Sequence, residues 1–248
     1  MFVIIGFLFS MACIFGVYIG HGGNISVILK ALPFEMITIL GAASGAFLMN
    51  NQMKVVKASM AGLASCFKGS KYTKARYMEL LALQFDILQK ARKEGLMAIE
   101  QDVENPHESP VFKKYPTVGS DHHVVEFITD YLRMMVSGNL NAHEIESLMD
   151  SEIETHHQEA HAPVAAIARL AGGLPAFGIV AAVLGVVNTM GSVGQPPAVL
   201  GAMIGSALVG TFLGILLAYG VFEPLGGLME QKVEESGKEL LCVKTTLL

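Results

Sequence analysis

The sequence contains least charge where its apolar run is longest. No Asp, Glu, Lys, Arg or His occurs among the 53 residues from Leu170 to Phe222. A membrane-spanning helix needs about 20 apolar residues, so this stretch is long enough for two such helices and a short loop. An ionisable group at mid-membrane depth costs at least about 2.5 kcal/mol and usually marks an ion path. We therefore expect any ion-binding carboxylate to come from outside these two helices.

Cysteine is also scarce, and the common catalytic motifs are missing. The three cysteines, Cys13, Cys66 and Cys242, are widely spaced and odd in number, so they predict no disulfide framework and suit a reducing cytoplasm. The sequence has no Walker phosphate loop, no G-x-S-x-G elbow and no Cys-x-x-Cys pair. We therefore predict that the protein is not an enzyme.

The overall composition is that of a membrane protein. Of the 248 residues, 52% are hydrophobic and 16% are charged, and the mean hydropathy is +0.49. The net charge of -5 is spread over the polar regions, so it gives no indication of nucleic-acid binding. We predict an all-α fold in which two membrane hairpins flank a helical cytoplasmic domain.

The apolar segments define the predicted domain boundaries. The first hairpin covers residues 1–49, with membrane helices at 2–20 and 34–49, and the second covers 170–222, with helices at 170–190 and 198–222. Residues 50–169 form the predicted cytoplasmic domain, and residues 223–248 a cytoplasmic helix or tail. Cations cluster after the second segment, whereas the outer loops contain only Lys30; the cluster is Lys54, Lys57, Lys68, Lys71, Lys74 and Arg76. The positive-inside rule therefore places both termini and the middle domain in the cytoplasm.

Helix signals recur along the middle domain. Ser70 is the predicted cap of a helix that Gly95 would end. A second helix is predicted from Asp121 to Gly138, which occupies the position of a C-terminal cap glycine. Asn141 and Glu144 have capping-box spacing, and we expect them to open a long acidic helix that continues into the third membrane segment.

Small residues recur at every fourth position of the fourth membrane segment. A similar stripe begins on the third segment at Ala181 and Gly185. Such stripes let helix backbones approach closely. Either the stripe packs within the hairpin, which is the favoured interpretation, or it forms a smooth wall for a partner helix. Its members are Ala202, Ser206, Gly210, Gly214 and Ala218.

Carboxylates and prolines lie near the predicted segment ends. Glu35 and Glu223 are expected at the membrane interface, with a role in ion entry as the alternative. Pro175 and Pro224 are expected at helix boundaries, with a pair of hinges as the alternative.

Two histidine clusters and one charged run complete the candidate sites. The clusters His122–His123 and His156–His161 lack the H-E-x-x-H pattern of a zinc peptidase, so a solvated acidic helix is favoured over a metal site. Residues 90–104 mix both signs of charge. A solvated face is the favoured interpretation of this run, and an electrostatic docking surface is the alternative.

Five segments, taken in order, resemble a known family over essentially the whole chain. They are SKYTKARYMELLAL (70–83), DYLRMMVSG (130–138), EIESLMDSEIETH (144–156), LPAFGIVAAVLGVV (174–187) and VGTFLGILLAYG (209–220). The family that they resemble is the MotA family of flagellar motor stator subunits. The resemblance implies that several copies of the chain, five in that family, surround two copies of MotB in the bacterial inner membrane. MotB is expected to supply the ion-binding aspartate and to hold the peptidoglycan.

The resemblance also implies roles for individual residues. Arg92 and Glu100 match the charged pair that contacts the rotor protein FliG, and Pro175 and Pro224 match prolines tied to conformational change. Sodium-driven relatives tend to carry threonine where this sequence has Ala181, so the expected ion is the proton, and neither a cofactor nor a metal is expected. The positions implied to line the ion path and pack against the partner helix are Ala181, Gly185, Ser206, Gly210, Thr211 and Gly214.

The resemblance implies that ion motive force is converted into torque on the rotor, with the ring of chains turning around the MotB pair. Two alternatives stay open. One is an energy-transducing subunit of the TolQ and ExbB class, against which the four-segment layout argues. The other is a passive membrane scaffold that binds a partner helix without conducting ions.

Overall fold

Helices are the regular secondary structure of the part of the chain that the structure describes. The computed structural model describes residues 2–138 and 141–248, and no strand occurs among them. A short 3₁₀ turn lies at Leu96–Ile99 and a π-turn at Ala218–Phe222. The α-helices are α1 (Phe2–Gly20), α2 (Ile25–Asn50), α3 (Met53–Ser65), α4 (Lys74–Glu94), α5 (Glu100–Glu104), α6 (Pro110–Lys113), α7 (Pro116–Gly119), α8 (His122–Ser137), α9 (Ala142–Met190), α10 (Pro197–Leu217) and α11 (Glu223–Leu247).

The chain forms two compact units. The first, the membrane-helix unit, comprises Met1–Gly69 and His161–Glu230, and the second, the polar unit, comprises Ser70–Ala160 and Gln231–Leu248. Four helical stretches are long and apolar enough to cross a membrane: α1, α2, α9, and the stretch Pro197–Leu247. The predicted all-α fold with four apolar helices is confirmed.

The core of the membrane-helix unit lies between α2, α9 and α10. Helix α1 has no buried residue, and its Phe15 ring meets Phe212 edge-on with ring centroids 5.9 Å apart. Helix α3 reaches α9 through the Ser59 hydroxyl, which donates to the Pro163 carbonyl at 3.4 Å. The buried core residues are Ala31, Ile39, Ala43, Leu174, Ala181, Val209, Leu213 and Ala218.

Helix α2 begins earlier than the sequence predicted. Its first residue is Ile25 rather than Phe34, and the Asn24 side chain accepts a hydrogen bond from the Ser26 N–H at 3.1 Å. Lys30 and Pro33 both lie inside the helix with exposed side chains. The predicted membrane segment 34–49 therefore lies within a longer helix, and a membrane helix tolerates a proline and a lysine on an exposed face.

The polar unit has a separate apolar core, to which all its main helices contribute. The Phe127 and Tyr131 rings of α8 stack edge-on with centroids 4.9 Å apart. Helix α8 ends at Gly138, whose φ of 66° is the left-handed conformation predicted for a C-terminal cap. Fully buried core members include Leu80, Leu83, Ile87, Ile99, Val118, Ile128, Met149 and Val243.

Helix α4 is capped by a different residue from the one predicted. Thr73 accepts a hydrogen bond from the Arg76 N–H at 3.3 Å and so takes the N-cap position expected for Ser70. The Ser70 hydroxyl instead donates to a Glu235 carboxylate oxygen at 2.5 Å. The helix ends at Gly95, as predicted.

The predicted capping box at the start of α9 is present. The Glu144 N–H donates to Asn141 Oδ1 at 2.9 Å, and the Asn141 N–H donates to Glu144 Oε2 at 3.0 Å. The helix then runs without a break from Ala142 to Met190, which confirms that the acidic helix continues into the third apolar segment. Two backbone donors that would otherwise lack partners are thereby satisfied.

Asn141→Ala is expected to loosen the first turn of α9, because it removes the acceptor for the Glu144 N–H. Loss of an N-cap typically costs about 1 kcal/mol. Hydrogen exchange of the amides after Asn141, followed by mass spectrometry, measures this effect. Asn141→Ser keeps a capping oxygen and is the matched control. Equal exchange in the alanine and serine variants would contradict the expected role of the cap.

A buried ion network joins α4, α8 and α11 within the polar unit. The Arg76 guanidinium donates to Glu239 at 2.5 Å and to Asp121 at 2.6 Å, and its side chain is only 4% exposed. It also donates to the Thr117 carbonyl at 3.0 Å. Lys71 adds a second cation on Asp121 at 2.7 Å. A buried arginine with both carboxylates in place is fully compensated, so the network fixes three helices relative to one another.

Acid is expected to weaken this network through Asp121. Burial by itself raises the pKa of the Asp121 carboxyl, but the hydrogen bonds and charges of Lys71 and Arg76 outweigh burial and hold the pKa below its ordinary value. The group therefore adds stability above its unfolded pKa of about 3.9 and loses this contribution as the pH falls through the lower folded pKa. Asp121→Asn should reduce stability at pH 7 and flatten the acid dependence below about pH 4. Unfolding followed by circular dichroism at both pH values tests this, and an unchanged acid dependence would contradict it.

Candidate functional site

Helices α9 and α10 pack closely through small residues. A methyl group at Gly214 would lie 2.7 Å from the Leu174 carbonyl oxygen and 2.9 Å from the Gly178 Cα. At the other end of the contact, a methyl group at Gly185 would lie 2.6 Å from the Ala207 Cβ. Because these neighbours are backbone atoms or short side chains, they cannot swing aside, and glycine is required for the observed approach.

Most of the predicted small residues of the third and fourth membrane segments therefore pack against neighbouring helices of the same chain. Gly210, Gly214 and Ala181 are buried, and Gly185 is half-buried in the same helix contact. For these residues the structure supports packing within the hairpin. Ser206 and Thr211 are half-buried and Ala202 is exposed, so the stripe is more open towards the loop end of α10. Contact of any of these residues with a partner helix stays a prediction.

Glu35 does not lie at the end of a membrane helix. It is well inside α2, on the helix face of the buried residues Ala31, Ile39 and Ala43. Its carboxylate oxygen approaches Gly210 of α10, where an added methyl group would meet Oε2 at 2.7 Å. Glu35 is therefore not at the first turn of its helix, and its placement at the membrane interface stays a prediction. Glu223 is exposed at the start of α11.

Pro175 lies within a continuous helix, whereas Pro224 is the second residue of α11, directly after the π-turn. Pro175 lies inside α9, which continues on both sides of it. The helix before Pro224 widens into the π-turn, in which the Glu223 N–H bonds the Ala218 carbonyl. A proline has no N–H and its ring crowds the carbonyl four residues earlier, which accounts for the local widening. The boundary interpretation is wrong for Pro175, Pro224 does lie at the start of a helix, and a hinge role for both prolines stays a prediction.

Arg92 and Glu100 lie at the two ends of a short exposed segment of the polar unit. Both are exposed, and neither forms a hydrogen bond or ion pair with another described residue. Arg92 borders a surface cavity of about 620 Å³ whose lining includes the apolar side chains of Leu81, Phe85 and Leu88 on α4. Glu100 borders a smaller cavity, of about 250 Å³, next to Met97. Between them Met97 is 68% exposed. Exposed apolar groups flanked by opposite charges are typical of a protein-docking surface.

The histidine clusters do not converge on a metal site in the described structure. Among residues 2–138 and 141–248, no group of three or more His, Cys, Asp or Glu side chains is arranged to hold a metal ion. His123 and His156 face each other across α8 and α9 with ring centroids 6.0 Å apart. His156 is half-buried there, and most of its neighbours along α9 are exposed.

The structure and the sequence together define a polytopic helical membrane protein whose last two apolar helices pack through glycine. Residues 4–95 match the family model for the motility protein A N-terminal region, and residues 120–240 match that for the MotA/TolQ/ExbB proton channel family. The chain is 47% identical to Motility protein A of Escherichia coli strain K12 over 248 residues, which are 100% of this chain and 83% of that protein. It is 37% identical to Chemotaxis protein LafT of Vibrio parahaemolyticus, covering 98% of this chain and 85% of the other.

Solved structures with the same fold include two stator complexes. The C. jejuni MotAB structure matches with a TM-score of 0.77 and 23% identity over 99% of this chain and 87% of that chain. The Bacillus subtilis flagellar MotAB stator complex matches with a TM-score of 0.73 and 23% identity over 98% and 88%. The chain belongs to the motility protein A group of the MotA/TolQ/ExbB proton channel family.

Proposed function

We propose that this chain is the MotA-type subunit of a flagellar stator, and that it forms a proton-conducting unit with MotB to drive the rotor. The observation that carries the proposal is the identity of 47% to Motility protein A of E. coli along the entire chain. The match of residues 4–95 to the motility protein A N-terminal region favours this function over the TolQ and ExbB class. The fold shared with the two MotAB structures agrees with a partnership with MotB.

The transported ion is proposed to be the proton. The apolar stretch 170–222 contains no ionisable side chain, so a carboxylate of the MotB membrane helix is the proposed carrier between the two proteins. Ala181 leaves no hydroxyl at the position where sodium-driven relatives tend to carry threonine. One charge that crosses 100 mV releases about 2.3 kcal/mol, which is enough to shift a two-state element by more than tenfold.

The polar unit is proposed to pass this movement to FliG. Arg92 and Glu100 supply opposite charges on an exposed surface, and Pro175 and Pro224 supply the proposed hinges. The proposed complex has five copies of this chain around two MotB chains. It lies in the inner membrane, with both termini and residues 50–169 in the cytoplasm. The cation cluster after α2 supports this orientation by the positive-inside rule.

Swimming of a flagellated strain that lacks its own stators tests the function. The chain is co-expressed with its candidate MotB partner, and swimming speed is measured over a range of sodium at fixed pH. We expect swimming that does not depend on sodium. Sodium-dependent swimming would overturn the choice of ion. Failure to swim despite membrane assembly with MotB would favour an outer-membrane energiser or a passive scaffold.

A further inference from the structure

We propose that Glu35 is a proton-binding site that this chain supplies in addition to the carboxylate of MotB. The site lies between the α1–α2 loop and the α9–α10 contact. The proposal deepens the proposed function, on which it rests. It adds a titratable group on α2 to a path for which the apolar stretch 170–222 supplies none.

The position of Glu35 along α2 is the first argument. Helix α2 has 26 residues and begins at Ile25. At 1.5 Å per residue, Glu35 lies about 15 Å from the start of a helix about 39 Å long, which is near its middle. A carboxylate this far from the ends of a membrane helix is a functional-site candidate by default, because an ionised side chain within a membrane is costly.

The face on which Glu35 lies is the second argument. Ala31, Ile39 and Ala43 are 5%, 0% and 1% exposed, and Glu35 fills the missing place in their four-residue period. Residues four apart share a helix face, so the carboxyl group points into the α2–α10 contact rather than towards lipid. The other three residues on this helix face, Ala31, Ile39 and Ala43, are apolar and belong to the buried core.

The space that receives the carboxyl group is the third argument. A methyl group at Gly210 would lie 2.7 Å from Glu35 Oε2 and 3.0 Å from the Ala181 Cβ. Because Gly210 has no side chain, α10 leaves a gap at this position, which we call the slot. Through the slot the Glu35 carboxyl group on α2 comes close to Ala181 on α9. Ala181 is the position implied by family resemblance to line the ion path. A side chain whose only role was to pack against apolar neighbours would not need a carboxyl group in this slot.

The absence of a counter-charge is the fourth argument. Glu35 makes no hydrogen bond or ion pair with any residue among 2–138 and 141–248. Helices α1 and α10 and the membrane part of α9 offer no charged side chain, and Lys30, the nearest cation along α2, is exposed on another face. Burial of a carboxylate without a counter-ion favours its protonated form.

The proposed step moves one proton and leaves no net change. The Glu35 carboxylate takes a proton from a hydronium ion in water that enters on the side of the α1–α2 loop, so that a neutral carboxylic acid and a water molecule form. The O–H bond then breaks as the proton passes, directly or through a water molecule, to the carboxylate of the partner helix. Glu35 returns to its anionic form, ready for the next proton.

The test replaces Glu35 in the complete complex with MotB. Proton influx, measured as cytoplasmic acidification, and motor torque are recorded across a range of external pH. Glu35→Gln keeps the size and polarity of the side chain but cannot carry the proton, so we expect both quantities to fall by about tenfold or more at unchanged membrane assembly. Glu35→Asp keeps the carboxyl group but withdraws it from the slot, and we expect partial activity with a displaced pH profile.

Matched controls separate the proton site from helix packing. Thr38→Val removes a polar group from an exposed face of the same helix, and Gly201→Ala adds a methyl group to α10 where nothing lies within 4 Å. Both should behave as the wild type. Gly210→Ala fills the slot and should reduce influx, but should add little in the Glu35→Gln background if it acts through Glu35.

The outcomes separate this proposal from the proposed function. If the wild-type complex conducts no protons and drives no motor, the proposed function fails. If the wild type works and Glu35→Gln keeps full influx with the same pH profile, only the Glu35 proposal is overturned. If Glu35→Gln does not assemble, Glu35→Asp decides: an assembled aspartate variant with the wild-type pH profile overturns the proposal, and a displaced profile supports it.

Discussion

Glu239→Ala is expected to destabilise the polar unit by about 3–5 kcal/mol, the usual cost of removing one partner of a buried ion pair. Glu239 is 2% exposed and receives hydrogen bonds from Arg76 Nε at 2.5 Å and Nη2 at 3.1 Å. After the substitution the Arg76 guanidinium stays buried, with Asp121 as its only remaining carboxylate among the described contacts. Chemical unfolding of the purified complex, followed by circular dichroism, measures the loss.

Two further variants determine whether the buried charge is the cause. Glu234→Gln changes an exposed carboxylate on the same helix and should leave stability within about 0.5 kcal/mol of the wild type. The double variant Arg76→Met with Glu239→Leu removes both charges and should recover much of the loss, since an apolar replacement of a buried pair is often neutral. A double variant no more stable than Glu239→Ala would show that lost packing, rather than an unpaired charge, is responsible.

Arg92→Glu is expected to reduce motor torque about tenfold or more while stator assembly stays intact, because a like-charge contact in an interface costs several kcal/mol. Arg92 is exposed and has no ion pair among the described residues, so reversing its charge removes nothing that holds the fold. Torque of single motors, with the amount of membrane-incorporated complex measured in parallel, gives the result.

A second exposed cation and a compensating change complete this test. Lys113→Glu reverses an exposed lysine elsewhere in the polar unit and should leave torque unchanged. Reversal of an acidic residue on the rotor protein should restore torque to Arg92→Glu, as expected for a direct charge contact. Loss of assembly in Arg92→Glu would reject the rotor-contact role, because the residue would then be structural.

Helix caps were predicted well because each depends on side chains or glycines only a few residues apart in the sequence. The Asn141–Glu144 capping box depends on two side chains three residues apart, and both of its hydrogen bonds are present. The glycines that end α4 and α8 have φ values of 90° and 66°, which other residues rarely adopt. Ser70 was a wrong choice of cap, since Thr73 offers the same hydroxyl chemistry nearer the helix and the Ser70 hydroxyl is bound to Glu235 from a distant part of the chain.

The candidate sites were predicted unevenly. The resemblance identified Arg92 and Glu100, and the structure adds that both are exposed beside cavities lined by apolar and polar side chains. An ion-entry role for Glu35 was only the alternative interpretation, although its spacing of four from Ala31 and Ile39 was a usable signal that it lies on their helix face. The four-residue period was applied to the fourth membrane segment but not to the second, where Lys30 and Pro33 interrupted the apolar run.

The sequence alone determined the membrane class, the helical fold and the absence of charge between Leu170 and Phe222, because burial in a bilayer leaves a direct record in composition. Only the tertiary structure decided what each polar group contacts. It placed Arg76 against Glu239, whose positions are 163 residues apart, and it placed Glu35 in the slot at Gly210. Such contacts depend on which helix faces meet, and faces that meet across long stretches of chain are set by the packing of the whole unit rather than by local sequence.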